Sequence, residues 1–129
     1  MQFAARILLE IAATLITLGG LYDLFVPRLP LNLALICGDN RQASSLVREL
    51  LRALGAALTA IGIAVFVLVA LPGPPLPPVT LLLVLLLVLP AEGVNALAMR
   101  RVGSPFYIPL AFIALTVLGV YLAWPAVKS

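Results

Sequence analysis

Leu81-Leu82-Leu83-Val84-Leu85-Leu86-Leu87-Val88-Leu89 runs without interruption into Pro90-Ala91-Glu92-Gly93-Val94-Asn95. The first part is Leu and Val alone, with none of the period-two alternation of a barrel strand, and fits a helix in hydrocarbon. The second part breaks that pattern with a proline, a carboxylate and an amide. An ionisable side chain inside a membrane span is costly and needs a reason. Glu92 is therefore the first residue from which to look for a site.

The rest of the chain shares the character of this stretch. Of 129 residues, 64% are hydrophobic and only 10% are charged, and the mean hydropathy is +1.21. Soluble domains carry about 25% charged residues, so a soluble fold would lack the polar surface to cover itself. The composition predicts an all-α integral membrane protein with one domain. Four segments approach the roughly 20 residues needed to cross hydrocarbon: 3–25, 50–71, 79–99 and 105–124. The expected architecture is a four-helix bundle. Glu10, and the lack of a small-x-small cleavage site after Gly19, Gly20 and Tyr22, argue that the first segment is retained rather than removed as a signal peptide.

Punctuation between the spans is uneven. Segment 72–78 holds five prolines, which favour stiff, extended backbone, and a proline opening the third span is tolerated because first-turn amides lack partners. Ser104-Pro105 reads as an N-cap followed by a first-turn proline. Ser44 to Leu71 is longer than the hydrocarbon is thick, so the second span is expected to begin outside it, with Ser44, Arg48 and Arg52 on one stripe. Those arginines, with Arg100 and Arg101, are candidates to contact lipid head groups or a partner. Ala56, Ala60 and Ala64, beside Gly55, Thr59 and Gly62, form a small-residue face suited to close helix packing. The Leu-rich half of the third span has no such face and is expected to touch lipid.

Counting cations orients the chain. Arg28, Arg41, Arg48, Arg52, Arg100 and Arg101 fall on the side of the first and third loops, and Arg6 and Lys128 on the other. The positive-inside rule then places loops one and three in the cytoplasm and the termini outside, in an inner membrane of bacterial type.

Few chemistries stay open. The absence of histidine removes imidazole ligation of haem, zinc or copper and His-based triads, and the single Cys37 excludes an internal disulfide or CxxC pair. No metal site, catalytic residue or nucleic-acid surface is expected.

Asn95 and Met99 share a helix face with Glu92. Pro90 frees the carbonyl of Leu86. Two readings stand side by side: a polar pocket drawing on Glu92, Asn95, Tyr22 and Asp23, with Glu92 as proton carrier, ligand acceptor or cation site, or a buried ion pair or hydrogen bond of Glu92, for instance to Arg52 or Tyr22, that fixes helix order. Glu10 lies one turn from Arg6 and reads as an interfacial ion pair, too far in depth from Glu92 to form a dyad. Leu31–Cys37 is too short to span and too apolar for a wet loop, which suggests an interfacial or re-entrant segment over the mouth of the bundle. Asp23, Asn32, Asp39, Asn40, Glu92 and Asn95 would gather there, some of them only as caps and turns.

Gly20-Leu21-Tyr22-Asp23-Leu24-Phe25-Val26-Pro27 and Arg48-Glu49-Leu50-Leu51-Arg52-Ala53-Leu54-Gly55-Ala56, with the four-span layout, resemble the DoxX-like group of small membrane proteins. That resemblance implies a four-helix membrane fold and, for some members, association with oxidoreductase assemblies or quinone-linked sulfur chemistry. It carries over no catalytic residue. Three functions remain as expectations: a non-catalytic subunit or assembly factor in a membrane complex, a lipophilic-ligand or quinone-binding protein, or a homo-oligomer that moves protons or small cations.

Overall fold

A computed structural model describes residues 2–25, 29–72 and 76–124. Arg28, Lys128, the Val26-Pro27 end of the resembling stretch and the centre of the proline-rich loop fall outside the described residues. Those described form five helices and no strand: α1 (Gln2–Phe25), α2 (Leu31–Cys37), α3 (Arg41–Ala70), α4 (Pro78–Arg101) and α5 (Tyr107–Ala123). Three of them, α1, α3 and α4, are long and apolar enough to cross a membrane. α5, with 17 residues, is shorter than these three, and α2, which forms over the predicted segment Leu31–Cys37, makes five helices where four were expected.

Local chemistry sets the helix ends. The Asn40 side chain accepts the Ala43 N–H at 3.0 Å and caps α3. Pro78 sits in the first turn of α4, after an extended Pro77. The turn into α5 departs from expectation. Ser104 is not its cap, and α5 begins only at Tyr107 behind Phe106, leaving 17 helical residues. The connection is consumed by a turn at Gly103, whose φ of 78° favours glycine. The Ser104 hydroxyl is used elsewhere, as described below.

The four long helices alternate in direction and close a ring in the order α1, α3, α4, α5. The α1–α3 side is the most intimate. Gly20, Gly55 and Gly62 let the two backbones meet: a Cβ on Gly20 would fall 2.5 Å from the Thr59 nitrogen. Thr17 and Thr59 lie in the same seam, their hydroxyls donating to the carbonyls of Ala13 and Gly55. This divides the small-residue face expected to pack inside the bundle or against a neighbouring subunit. Gly55, Thr59 and Gly62 turn inward, whereas Ala56 and Ala60 are exposed. Backbone approach needs a missing Cβ, and only the glycines supply it.

At the end holding the α1 N-terminus, apolar side chains fill the ring. Leu9, Ile16, Val65, Val69, Leu81, Val84 and Val88 are each no more than 1% exposed. Arg6 closes this end, donating to Glu10 at 3.0 Å and to the last α3 carbonyl, Ala70, at 3.0 Å. The Leu-rich half of α4 is not wholly outward, as its sequence suggested. Leu81, Val84, Val88, Glu92 and Ala96 form one buried stripe, while Leu82, Leu83 and Leu86 are exposed. The exposed faces of the other long helices are apolar too, from Phe3 and Leu18 to Ile63 and Leu118.

The α3–α4 side of the ring is the loosest. That looseness is greatest in its consequence at the opposite end, where a cavity replaces the core.

Candidate functional site

The cavity, of about 400 Å³, lies where α1 and α4 end and α3 and α5 begin. Each element contributes a wall. Ile16, Gly19, Tyr22 and Asp23 come from α1, and Leu51, Leu54 and Leu58 from α3. Glu92, Asn95 and Met99 come from α4, Ile108, Pro109 and Phe112 from α5, and α2 adds Asn32 and Leu33. Its volume falls within the range of small-molecule sites, roughly 300–1,000 Å³.

Glu92 sits where the filled core stops, continuing the buried stripe of α4 with 1% exposure. Its Oε2 has no hydrogen-bond partner among the described residues. Asn95, one turn on, and Asp23, near the end of α1, line the same cavity. Tyr22 also lines the cavity, although its side chain is largely exposed. The four residues singled out as a ligand or proton site thus share one cavity. Among the described residues Glu92 makes no hydrogen bond or ion pair to Arg52 or Tyr22, the two partners named for a helix-fixing role. Arg52 instead donates to Glu49 at 2.7 Å, because a partner one turn away on its own helix costs less ordering than one across the bundle. Pro90 and Leu86 are on the exposed face of α4, so the freed carbonyl belongs to the other side from Glu92.

The remaining candidates lie elsewhere. Arg48 and Arg52 line a separate surface cleft of about 460 Å³ with Asp39, Arg41, Ser44, Ser45 and Glu49. Arg100 packs over the Phe106 ring at 5.7 Å, and Arg101 is exposed. Asn40 is a cap, and Cys37 is a half-buried free thiol outside the cavity wall. Among the described residues no cluster of three metal-ligating side chains occurs. The apolar walls are what sequence reasoning missed. Leu51, Leu54, Leu58, Ile108 and Phe112 carry no signal that separates cavity-facing from outward-facing positions.

α2 covers this end through one side chain. The Asn32 amide donates to the Val102 carbonyl at 3.0 Å and to the Ser104 hydroxyl at 2.8 Å, tying α2 to the α4–α5 turn. Replacing Asn32 with Ala is expected to raise hydrogen exchange across 29–40 severalfold while leaving the exchange of the α1–α3 seam unchanged, since the tie is remote from the core. Equal protection of α2 in both proteins would show that the tie contributes nothing.

The arrangement supplies an apolar body site and a polar end. Asn95 and Tyr22 can donate to a carbonyl. Glu92 accepts from a hydroxyl or ammonium when ionised and donates when protonated. No family model, curated protein or solved structure matches this chain.

Proposed function

We propose that this chain is an integral membrane protein that binds a lipophilic small molecule in the cavity headed by Glu92. The observation that carries this is a drug-sized apolar cavity with a buried carboxyl oxygen, unpartnered among the described residues, on its wall. Buried polar atoms are normally satisfied, and a ligand group is one way to satisfy this one. Membrane insertion is supported by three long apolar helices whose outward faces carry many large apolar side chains. Arg41, Arg48, Arg52, Arg100 and Arg101 all belong to the cavity end, which supports a cytoplasmic placement for it in an inner membrane. The DoxX-like resemblance adds quinones as a ligand class to try.

A subunit role is the second reading. Ala56 and Ala60 on the exposed side of α3 leave a small-residue face available to another membrane helix. Proton or cation passage is less favoured, because beyond Glu92 the ring is filled by Ile16, Val84 and Val88.

Binding is tested by purifying the protein in mild detergent and identifying co-purifying small molecules by native mass spectrometry. Leu54→Trp, which fills the cavity from α3, is expected to abolish the bound mass and any ligand-induced rise in thermal midpoint, while the protein remains folded. Ligand present at about 100 times its Kd stabilises a protein by about 2.7 kcal/mol, a shift readily read. Identical ligand content and thermal response in the Leu54→Trp protein would place binding elsewhere.

A further inference from the structure

We propose that the occupant of this cavity carries a positive charge: a lipophilic amine, its ammonium held by Glu92 and Asp23 and its apolar body among Leu51, Leu54, Leu58, Ile108 and Phe112. This rests on the binding-site reading and specifies the class of ligand within it.

The wall has two carboxyls, and among the described residues lining it there is no lysine or arginine. The described cations of this end are engaged or directed elsewhere. Arg52 pairs with Glu49, Arg41 and Arg48 line the separate cleft, Arg100 lies over Phe106 and Arg101 is exposed. An anionic head group, such as a fatty acid, would meet two carboxyls with no cation among the described residues of the wall to offset them. A carbonyl head group would be served by Asn95 and Tyr22 but would bring no donor to an ionised Glu92, whose Oε2 is the buried atom without a partner among the described residues. An ammonium brings N–H donors to that oxygen, and its charge favours the ionised form of both carboxyls over their mutual repulsion. Tyr22 and Phe112 on the same wall add ring faces suited to a cation and its hydrocarbon.

The test uses the full chain in nanodiscs of zwitterionic lipid and three probes of similar length: an arylalkylamine, its neutral ether isostere and a short-chain benzoquinone. Binding is taken as the signal lost on Leu54→Trp, which removes simple partitioning into lipid. The amine is expected to bind at least about tenfold more tightly than the ether. Glu92→Gln should abolish most of that preference, and Asp23→Asn part of it. Asp23 is only half-buried, so its variant keeps the test informative if Glu92→Gln does not fold. Ether or quinone binding as tight as amine binding, still sensitive to Leu54→Trp, would overturn the charge assignment and leave the binding site standing. Saturable binding of none of the probes, with no ligand co-purifying, would overturn both.

Discussion

Gly55→Ala and Gly62→Ala are each expected to destabilise the protein by up to about 2 kcal/mol, the usual cost of about 1–3 kcal/mol for forcing extra atoms into a filled contact less the gain in helix propensity. An added Cβ on Gly62 would fall 2.7 Å from the Thr17 nitrogen and 2.9 Å from the Ala13 carbonyl oxygen; on Gly55 it would meet the Leu24 nitrogen and lie 2.5 Å from the Gly20 oxygen. These are backbone atoms of a helix, so neither can rotate away. The gain in helix propensity from Gly to Ala, about 1 kcal/mol, opposes the loss without cancelling it. Gly93→Ala is the control: nothing lies within 4 Å of its Cβ position, so only the propensity gain remains. Thermal midpoints in one detergent should therefore fall for the first two variants and hold or rise for the third. The pair also separates stability from site geometry. Gly55 presses on Leu24 and Asp23, beside the cavity, whereas Gly62 meets α1 at Ala13 and Thr17. At equal loss of stability, Gly55→Ala should weaken ligand binding more. Equal stability of all three variants would mean that the close approach of α1 and α3 is not what holds the bundle.

The glycine seam shows why some of the structure was legible in the sequence and some was not. Helix positions were readable because Leu and Val runs end at Pro, Gly and Asn, whose backbone preferences act locally. The gathering of Tyr22, Asp23, Glu92 and Asn95 followed from depth alone: each lies within two to three turns of a helix end on the same side. Facing was not readable. A helix such as α4, apolar all round, has no polar side to point outward, so Leu81 and Leu82 look alike although one is buried and the other exposed. The alanines of α3 drew attention by regular spacing, yet the close contact needed the glycines. Long-range pairings were equally silent. Asn32 reaching Ser104 depends on α2 folding across the end of the bundle, and Ser104 next to Pro105 had a plausible local use as a cap. Arg52 could serve Glu49 or Glu92 by composition, and the short reach within one helix decided for Glu49.

Glu92→Leu is expected to raise the thermal stability of the ligand-free protein and to abolish binding of the cavity ligand. A buried polar group without a partner costs about 1–3 kcal/mol relative to one that is satisfied. Glu92 is 1% exposed with Oε2 unpartnered among the described residues, so a leucine of similar volume removes that cost and continues the apolar stripe from Val88 to Ala96. A side chain that locked the helices would behave in the opposite way, because removing one member of a buried bonded pair destabilises by about 3–5 kcal/mol. The two roles therefore predict opposite signs for the same measurement. Glu92→Gln sharpens the comparison by keeping the shape and removing the charge. It should fold like the original and lose binding of a cationic ligand far more than it loses packing. A fall in midpoint of the leucine and glutamine variants together, with ligand-free protein unfolding in mild detergent, would assign Glu92 to holding α4 in place. A higher midpoint together with lost binding would identify a residue kept for its ligand at the expense of stability, the trade expected of binding sites built into otherwise well-packed folds.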